Sequence, residues 1–251
     1  MKGYLNRYKT KGYFILREYL RDESIPDFEK LCCPEVEEHY ESDGVSLRSI
    51  YGLNRNPYFN EWLTTQKWIP ELFESILGSD FYLHQSKVNI KNNQEGSSWP
   101  FHRDFPFWNV FDFIPRNEMV NIVVYLDDVV EGSGEIKIIP GSHREFLTRE
   151  KENADIDYSL EGSASNDLLF GFSKKECLYF EEKYGVESTY GAKGSVLVFS
   201  PDIIHGSGMS LLDLSRRLLI LTFNSCTNLP TKLSKRPEYL CSTDTKPIIW
   251  S

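Results

Sequence analysis

Cysteine is sparse in this chain and poorly placed for cross-linking. Five cysteines, at positions 32, 33, 177, 226 and 241 of 251 residues, make an odd set without a CxxC pair. Adjacent Cys32 and Cys33 suit neither an ordinary disulfide nor a zinc knuckle. That excludes a disulfide-stapled secreted scaffold and points to a reduced, cytoplasmic setting. Positive charge is also short: 28 Lys and Arg against 37 Asp and Glu leave a net charge of −9. No basic tract compensates locally, so no nucleic-acid partner is expected, because such affinity rests on basic contacts to phosphates. Long apolar runs are missing as well. Stretches such as Val196–Phe199 and Leu218–Leu221 fall far short of the roughly 20 residues that a membrane helix needs, so no membrane span is expected. The first residues lack the apolar core and cleavage site of a signal peptide. No repeat, low-complexity segment or Gly/Ser/Pro linker divides the chain, and residues 1–251 read as a single domain. The oligomeric state leaves no mark in the sequence.

What is present is the composition of a folded protein. Hydrophobic residues at 40% and charged residues at 26% rule out wholesale disorder, and the 14% of aromatic residues supplies rings for a core or a pocket. The first 80 or so residues are predicted to be mostly helical. Asn56-Pro57 has the form of an N-cap followed by proline at the first helical position. Ile69, Leu72, Phe73, Ile76 and Leu77 recur at helical spacing before Gly78 ends the run, and Pro70 can open a turn there. From about residue 81 the texture becomes short strands, over 81–91, 119–126, 135–139, 194–199 and 216–224, punctuated by Gly, Pro, Asp and Ser. An acidic insertion over 148–190, with Asp155, Asp157 and Glu161, has the length of a lid or binding loop. The outline is helices on a multi-stranded antiparallel β-core, closer to a barrel or jelly roll than to a βαβ fold.

Histidine is limited to positions 39, 84, 102, 143 and 205. His39 and His84 carry no local signal, and His143, after a Pro-Gly turn, reads as a structural hydrogen-bonder. His102-Arg-Asp104 sets an imidazole and a carboxylate two residues apart, on one face if the strand is extended. His205 follows the apolar run 194–199 and opens His205-Gly-Ser-Gly208. Two histidines and a carboxylate can form the facial triad that holds non-haem Fe(II) with three positions open. HxD pairs arise readily by chance, so spacing alone leaves both histidines open to an ordinary core or surface reading. Eleven residues beyond His205, Arg216 enters an apolar strand. It can face solvent, or sit inside as a guanidinium fork for a carboxylate. Arg217 then points to the other face.

Together with Ile139-Pro-Gly-Ser-His143, these motifs resemble the phytanoyl-CoA dioxygenase family of Fe(II)/2-oxoglutarate oxygenases. The stretches His84–Lys91, Trp99–Trp108, Gly185–Thr189 and Arg236–Asp244 carry the similarity over nearly the whole chain. The resemblance implies a mainly β fold with α: a double-stranded β-helix (jelly-roll or cupin-like) core over about 81–251, with flanking N-terminal helices. It implies His102, Asp104 and His205 as iron ligands and catalytic centre. Arg216 would pair with the distal carboxylate of 2-oxoglutarate, with Ser207, Asn89 and Lys87 as further co-substrate contacts. Gln85, Trp99, Trp108 and Phe199 would line the pocket for the primary substrate. Several of these have a plainer alternative: Trp99, Trp108 and Phe199 as core aromatics, Lys87 as a solvated strand residue.

The cofactors implied are Fe(II), 2-oxoglutarate and O₂, with ascorbate as reductant in vitro. The activity implied is decarboxylation of 2-oxoglutarate to succinate, coupled to hydroxylation of a free amino acid or similar small zwitterion, in specialised metabolism. Asp104 separates the chain from halogenases of this kind, which carry a small residue there to admit chloride. Ile220 stands where some members present phenylalanine, and an aliphatic residue suits the amino-acid side of the family. The same centre could act on a carrier-tethered aminoacyl group, or desaturate or cyclise. A non-catalytic β-barrel binding module is the remaining alternative, and it has no need of all four of His102, Asp104, His205 and Arg216.

Overall fold

The computed structural model describes residues 2–32, 40–42, 47–78, 80–92, 98–145, 171–234 and 236–251. Its strands, in chain order, are β1 (Tyr13–Leu16), β2 (Tyr40–Ser42), β3 (Leu47–Tyr51), β4 (Phe81–Lys91), β5 (Trp99–His102) and β6 (Met119–Tyr125). There follow β7 (Ile136–Ile139), β8 (Glu187–Ser188), β9 (Val196–Phe199), β10 (Ile204–Ser207) and β11 (Arg216–Ser225). They form two antiparallel sheets, of order β1-β9-β6-β11-β4-β3-β2 and β5-β10-β7-β8. This is a double-stranded β-helix, or jelly roll.

Strand β6 shows why the sheets close over one another. All of its residues are buried, and its side chains part by the two-residue period of a strand. Ile122 and Val124 pack with Phe59, Trp62, Leu63, Ile69 and Phe73 from the helices on the outer face of the large sheet. Val123 and Tyr125 pack inward with Ile136 and Ile138 of the small sheet. The site lies between the sheets, beside that inner cluster.

Helix Pro57–Thr64 begins as its sequence predicts, with the Asn56 side chain accepting from the Tyr58 and Phe59 amides. The next helix is shorter than the apolar spacing suggests, covering Trp68–Phe73, and turns lead from it to Gly78 at φ +84°. Pro70 falls in its first turn, where the missing N–H is one the helix leaves unbonded.

Two expectations are corrected. The first 80 residues are not mostly helical: β1 pairs with β9, β3 with β4 and β2 with β3, so this region builds both edges of the large sheet. Short strands buried on both sides, such as β1, show no alternation to read. The 148–190 insertion is not a loop throughout. Residues 146–170, like His39 and Cys33, lie outside the described residues. Beyond them Ser173 forms a capping box with Glu176 at the start of helix Lys174–Tyr184, and β8 joins β7 in the small sheet. Phe180 of that helix packs on Ile139 and Ile204.

Candidate metal centre and its cavity

In the small sheet β10 runs antiparallel to β5, with His205 directly opposite His102. Two residues on β10 then span three on β5, from Trp99 to His102, a bulge of the sort that re-aims side chains beside active sites. Pro100 is tolerated because β5 is an edge strand. The close approach depends on Gly206, where a Cβ would lie 2.8 Å from the Trp99 carbonyl oxygen.

Asp104 is not on the strand. It stands at the start of helix Phe105–Phe111 with helical dihedrals, and its amide, with that of Phe105, donates to the Pro201 carbonyl. The turn from strand to helix, rather than strand alternation, brings its carboxylate back to His102. His102 Nε2 lies 3.4 Å from Oδ1 and His205 Nε2 lies 3.6 Å from Oδ2. Among the described residues these three form the one cluster of His, Cys, Asp or Glu able to share a metal ion, with ligand atoms within 4.8 Å of one another.

The donor set fits a ferrous ion. Each imidazole engages Nδ1 with a backbone carbonyl, His102 with Pro100 at 2.8 Å and His205 with Ile203 at 3.1 Å. Such bonds fix the ring and leave Nε2 for the metal. Burial, followed by the neighbouring His102, pushes His205 down to about 4, so at neutral pH it offers a lone pair. Burial opposes charge on Asp104, but the His205 and His102 rings and Lys87 hold its carboxyl well below the usual carboxylate range. Asn121 donates to Asp104 Oδ2 at 2.7 Å and is itself set by Thr222.

One cavity opens on this centre. Gln85, Lys87, Asn89, Trp99, His102, Asp104, Trp108, Phe199, His205, Ser207 and Ile220 all line it, so the structure brings together every sequence-predicted site residue except Arg216. Arg216 lies just behind this lining, fully buried, with Nη2 donating to Asn89 Oδ1 at 3.1 Å. Its Nε and Nη1 have no partner among the described residues. Burial lowers its pKa to about 10, so it stays cationic at neutral pH. Arg217 faces away and forks onto Asp127, with bonds of 2.7 and 2.6 Å. Trp99 carries the Arg48 guanidinium 4.3 Å and the Lys87 ammonium 5.9 Å from its ring centroid, and Phe199 packs 4.8 Å from the His205 ring. His143 bonds the Lys9 carbonyl outside the cavity.

Sequence reasoning missed Arg236 as a site residue. It lines the cavity, paired with buried Asp112, which also meets His84. The Arg236–Asp244 stretch matched as a motif, but no spacing rule connects position 236 to a strand more than 140 residues earlier.

The family model for phytanoyl-CoA dioxygenase matches residues 35–217. L-proline trans-4-hydroxylase of Streptomyces griseoviridis is 30% identical over 258 aligned residues, spanning 97% of this chain and 93% of that relative. Ectoine dioxygenase of Bordetella bronchiseptica is 31% identical, over 94% of this chain and 80% of that one. EctD from S. alaskensis, solved with 2-oxoglutarate and 5-hydroxyectoine, is similar with a TM-score of 0.80 at 22% identity, covering 98% of this chain and 86% of that structure. At that identity the structural likeness speaks for the fold.

Proposed function

The chain belongs to the phytanoyl-CoA dioxygenase family of Fe(II)/2-oxoglutarate-dependent dioxygenases, and from that premise we propose that it hydroxylates a free amino acid or a similarly small zwitterion. The observation that carries the reading is a pairing: a two-histidine, one-carboxylate cluster, with His205 buried and His102 and Asp104 partly buried, beside a buried guanidinium whose Nε and Nη1 have no partner among the described residues.

Iron bound at His102, Asp104 and His205 would, with 2-oxoglutarate and O₂, supply an oxidant strong enough for an unactivated C–H bond, releasing succinate and CO₂. The chain's own residues bind, orient and exclude water. Arg216 receives the distal carboxylate of 2-oxoglutarate, a match of charge and fork geometry. Asn89, whose amide nitrogen is held by the Arg48 carbonyl and Ser49, keeps the guanidinium turned for that task. Ser207 and Lys87 add polar contacts on the same side. Asp104 fills the position that chloride would need, which favours hydroxylation over halogenation.

For the primary substrate, the rings of Trp99, Trp108 and Phe199 wall the space next to the metal cluster and keep it dry. Gln85 is already half engaged: its Nε2 donates to the Leu240 carbonyl at 2.7 Å, which leaves Oε1 to accept from an ammonium group. Arg236 supplies the complementary cation for a carboxylate. One acceptor and one guanidinium beside apolar walls suit an amino acid better than an acyl chain. No described helix is long and apolar enough to cross a membrane.

The experiment is a succinate-release screen over the proteinogenic amino acids with Fe(II), ascorbate and 2-oxoglutarate, with product analysis of any that respond. Stimulation by a free amino acid and a hydroxylated product are expected. Silence from all of them, with turnover of a carrier-bound aminoacyl thioester, would overturn the substrate class.

A further inference from the structure

Strict alternation along β4 would put His84 and Gln85 on opposite faces. The register with β11 slips there: Thr222 faces Gln85 and Phe223 faces Leu83, so His84 has no partner across the ladder. Val88 and Ile90 on one side of the slip and Phe81 and Leu83 on the other all pack toward the outer helices. Parity therefore switches at His84, and both His84 and Gln85 turn inward, as a bulge allows.

Inside, His84 is 1% exposed, bonds Asp112 Oδ2 through Nε2 at 3.0 Å, and meets the Trp108 ring edge-on at 5.5 Å. Asp112, at the end of helix Phe105–Phe111, takes Arg236 side-on, with Nε to Oδ1 at 2.7 Å and Nη2 to Oδ2 at 2.6 Å. Ser234 completes the grip from its hydroxyl at 2.9 Å. Arg236 Nη2 also donates to the Leu240 carbonyl at 3.0 Å, the acceptor already used by Gln85. The guanidinium plane is thus fixed on three sides, and its Nη1 donates to nothing among the described residues. Asp112 and His84 do not line the cavity, whereas Arg236, Gln85 and Trp108 do.

We propose that Asp112 and His84 are positioning residues for the primary-substrate site. Asp112 sets the plane of Arg236, and His84 sets both Asp112 and Trp108, so that a substrate carboxylate meets Nη1 already oriented. A buried ion pair contributes little to stability as such, whereas a pre-oriented guanidinium lowers the ordering cost of binding. The proposal rests on the reading of Arg236 as the anchor for the carboxylate of a free amino acid.

The test uses the whole chain with Fe(II), 2-oxoglutarate and ascorbate, and reads succinate release with L-proline first and then the other proteinogenic amino acids as probes. Asp112→Asn keeps the shape and drops the charge. The KM for the stimulating amino acid should rise about tenfold, while that for 2-oxoglutarate stays within about twofold. His84→Leu should raise the same KM by a smaller factor, and His84→Gln, which keeps a donor toward Asp112, should restore most of the loss. Should Asp112→Asn fail to fold, the two His84 variants decide alone. An unchanged amino-acid KM in Asp112→Asn or His84→Leu, or a parallel rise in both KM values, overturns the positioning role. Arg236→Gln separates the premise: no change there overturns the anchor and this proposal together, whereas a rise there with none in Asp112→Asn overturns positioning alone. Silence of wild type with every amino acid removes both.

Discussion

Arg216 and Arg236 serve one cavity from opposite ends of the inner row of β4, and their surroundings differ in kind. Arg216 is wholly buried and, among the described residues, has a single bond to Asn89 and two nitrogens without partners. Arg236 has a side-on carboxylate and a backbone carbonyl. A buried cation left short of partners is costly to the unliganded protein, so its place is where an anion regularly arrives. A buried cation already paired is held still instead. On the proposed reading, the co-substrate end is built to be completed by its ligand, and the substrate end is built to present a fixed face.

The contrast breaks most severely at Arg216. Arg216→Met should raise the apparent KM for 2-oxoglutarate roughly 100-fold, since truncating one partner of a buried charge pair costs on the order of 2–5 kcal/mol. Arg216→Lys should raise it about tenfold, because an ammonium cannot copy the fork. Succinate formation at varied 2-oxoglutarate measures both, and an equal rise in the amino-acid KM would make Arg216 a support of the fold instead. Arg236→Gln comes next, with about a tenfold rise confined to the amino-acid KM.

Arg217 sharpens the comparison because it is Arg216's neighbour on the other face. Its partner Asp127 is satisfied and both side chains are partly exposed. Arg217→Lys should move either KM less than about twofold and stability by no more than about 1 kcal/mol. Kinetics and urea unfolding check the pair; a large KM effect here would mean that the register of β11 is shifted.

A pH dependence of stability is expected at the Arg216 end. Lys91 sits opposite Arg216 in the β4–β11 register and is 2% exposed. Burial, then the charges of Arg216 and Arg48, lower its pKa to about 7, against a smaller opposing pull from Glu135. In the unfolded chain the same lysine keeps its proton to about 10.4. Between those values the unfolded state binds more protons, so stability gains as pH rises from about 7 and the Lys91 term works against folding below it. Urea midpoints at pH 7 and pH 9 should show this gain in wild type and a smaller one in Lys91→Met.

How much of this was legible in the sequence follows from how local each signal is. His102, Asp104, His205 and Arg216 stand in short, fixed spacings, and the long strands β4, β6 and β11 show in their composition. Asp104 reaches His102 through a geometry other than the extended strand expected, because a strand ending at His102 looks in the sequence like a strand continuing. β1 and β3 are short and buried on both faces, so no period marked them. His84 looked ordinary because a bulge reverses parity without changing composition. Arg236 and Asp112 are 124 residues apart, and only the fold brings them together.

The central claim is that His102, Asp104 and His205 hold the iron on which 2-oxoglutarate is used. Anaerobic titration of the metal-free protein with Fe(II) in the presence of 2-oxoglutarate, followed by the visible charge-transfer absorption of the chelate, tests it most directly. Wild type should take up one equivalent and develop the band, while His205→Ala, folded by circular dichroism, should do neither and release no succinate in air. Normal iron uptake and turnover by His205→Ala would contradict the account.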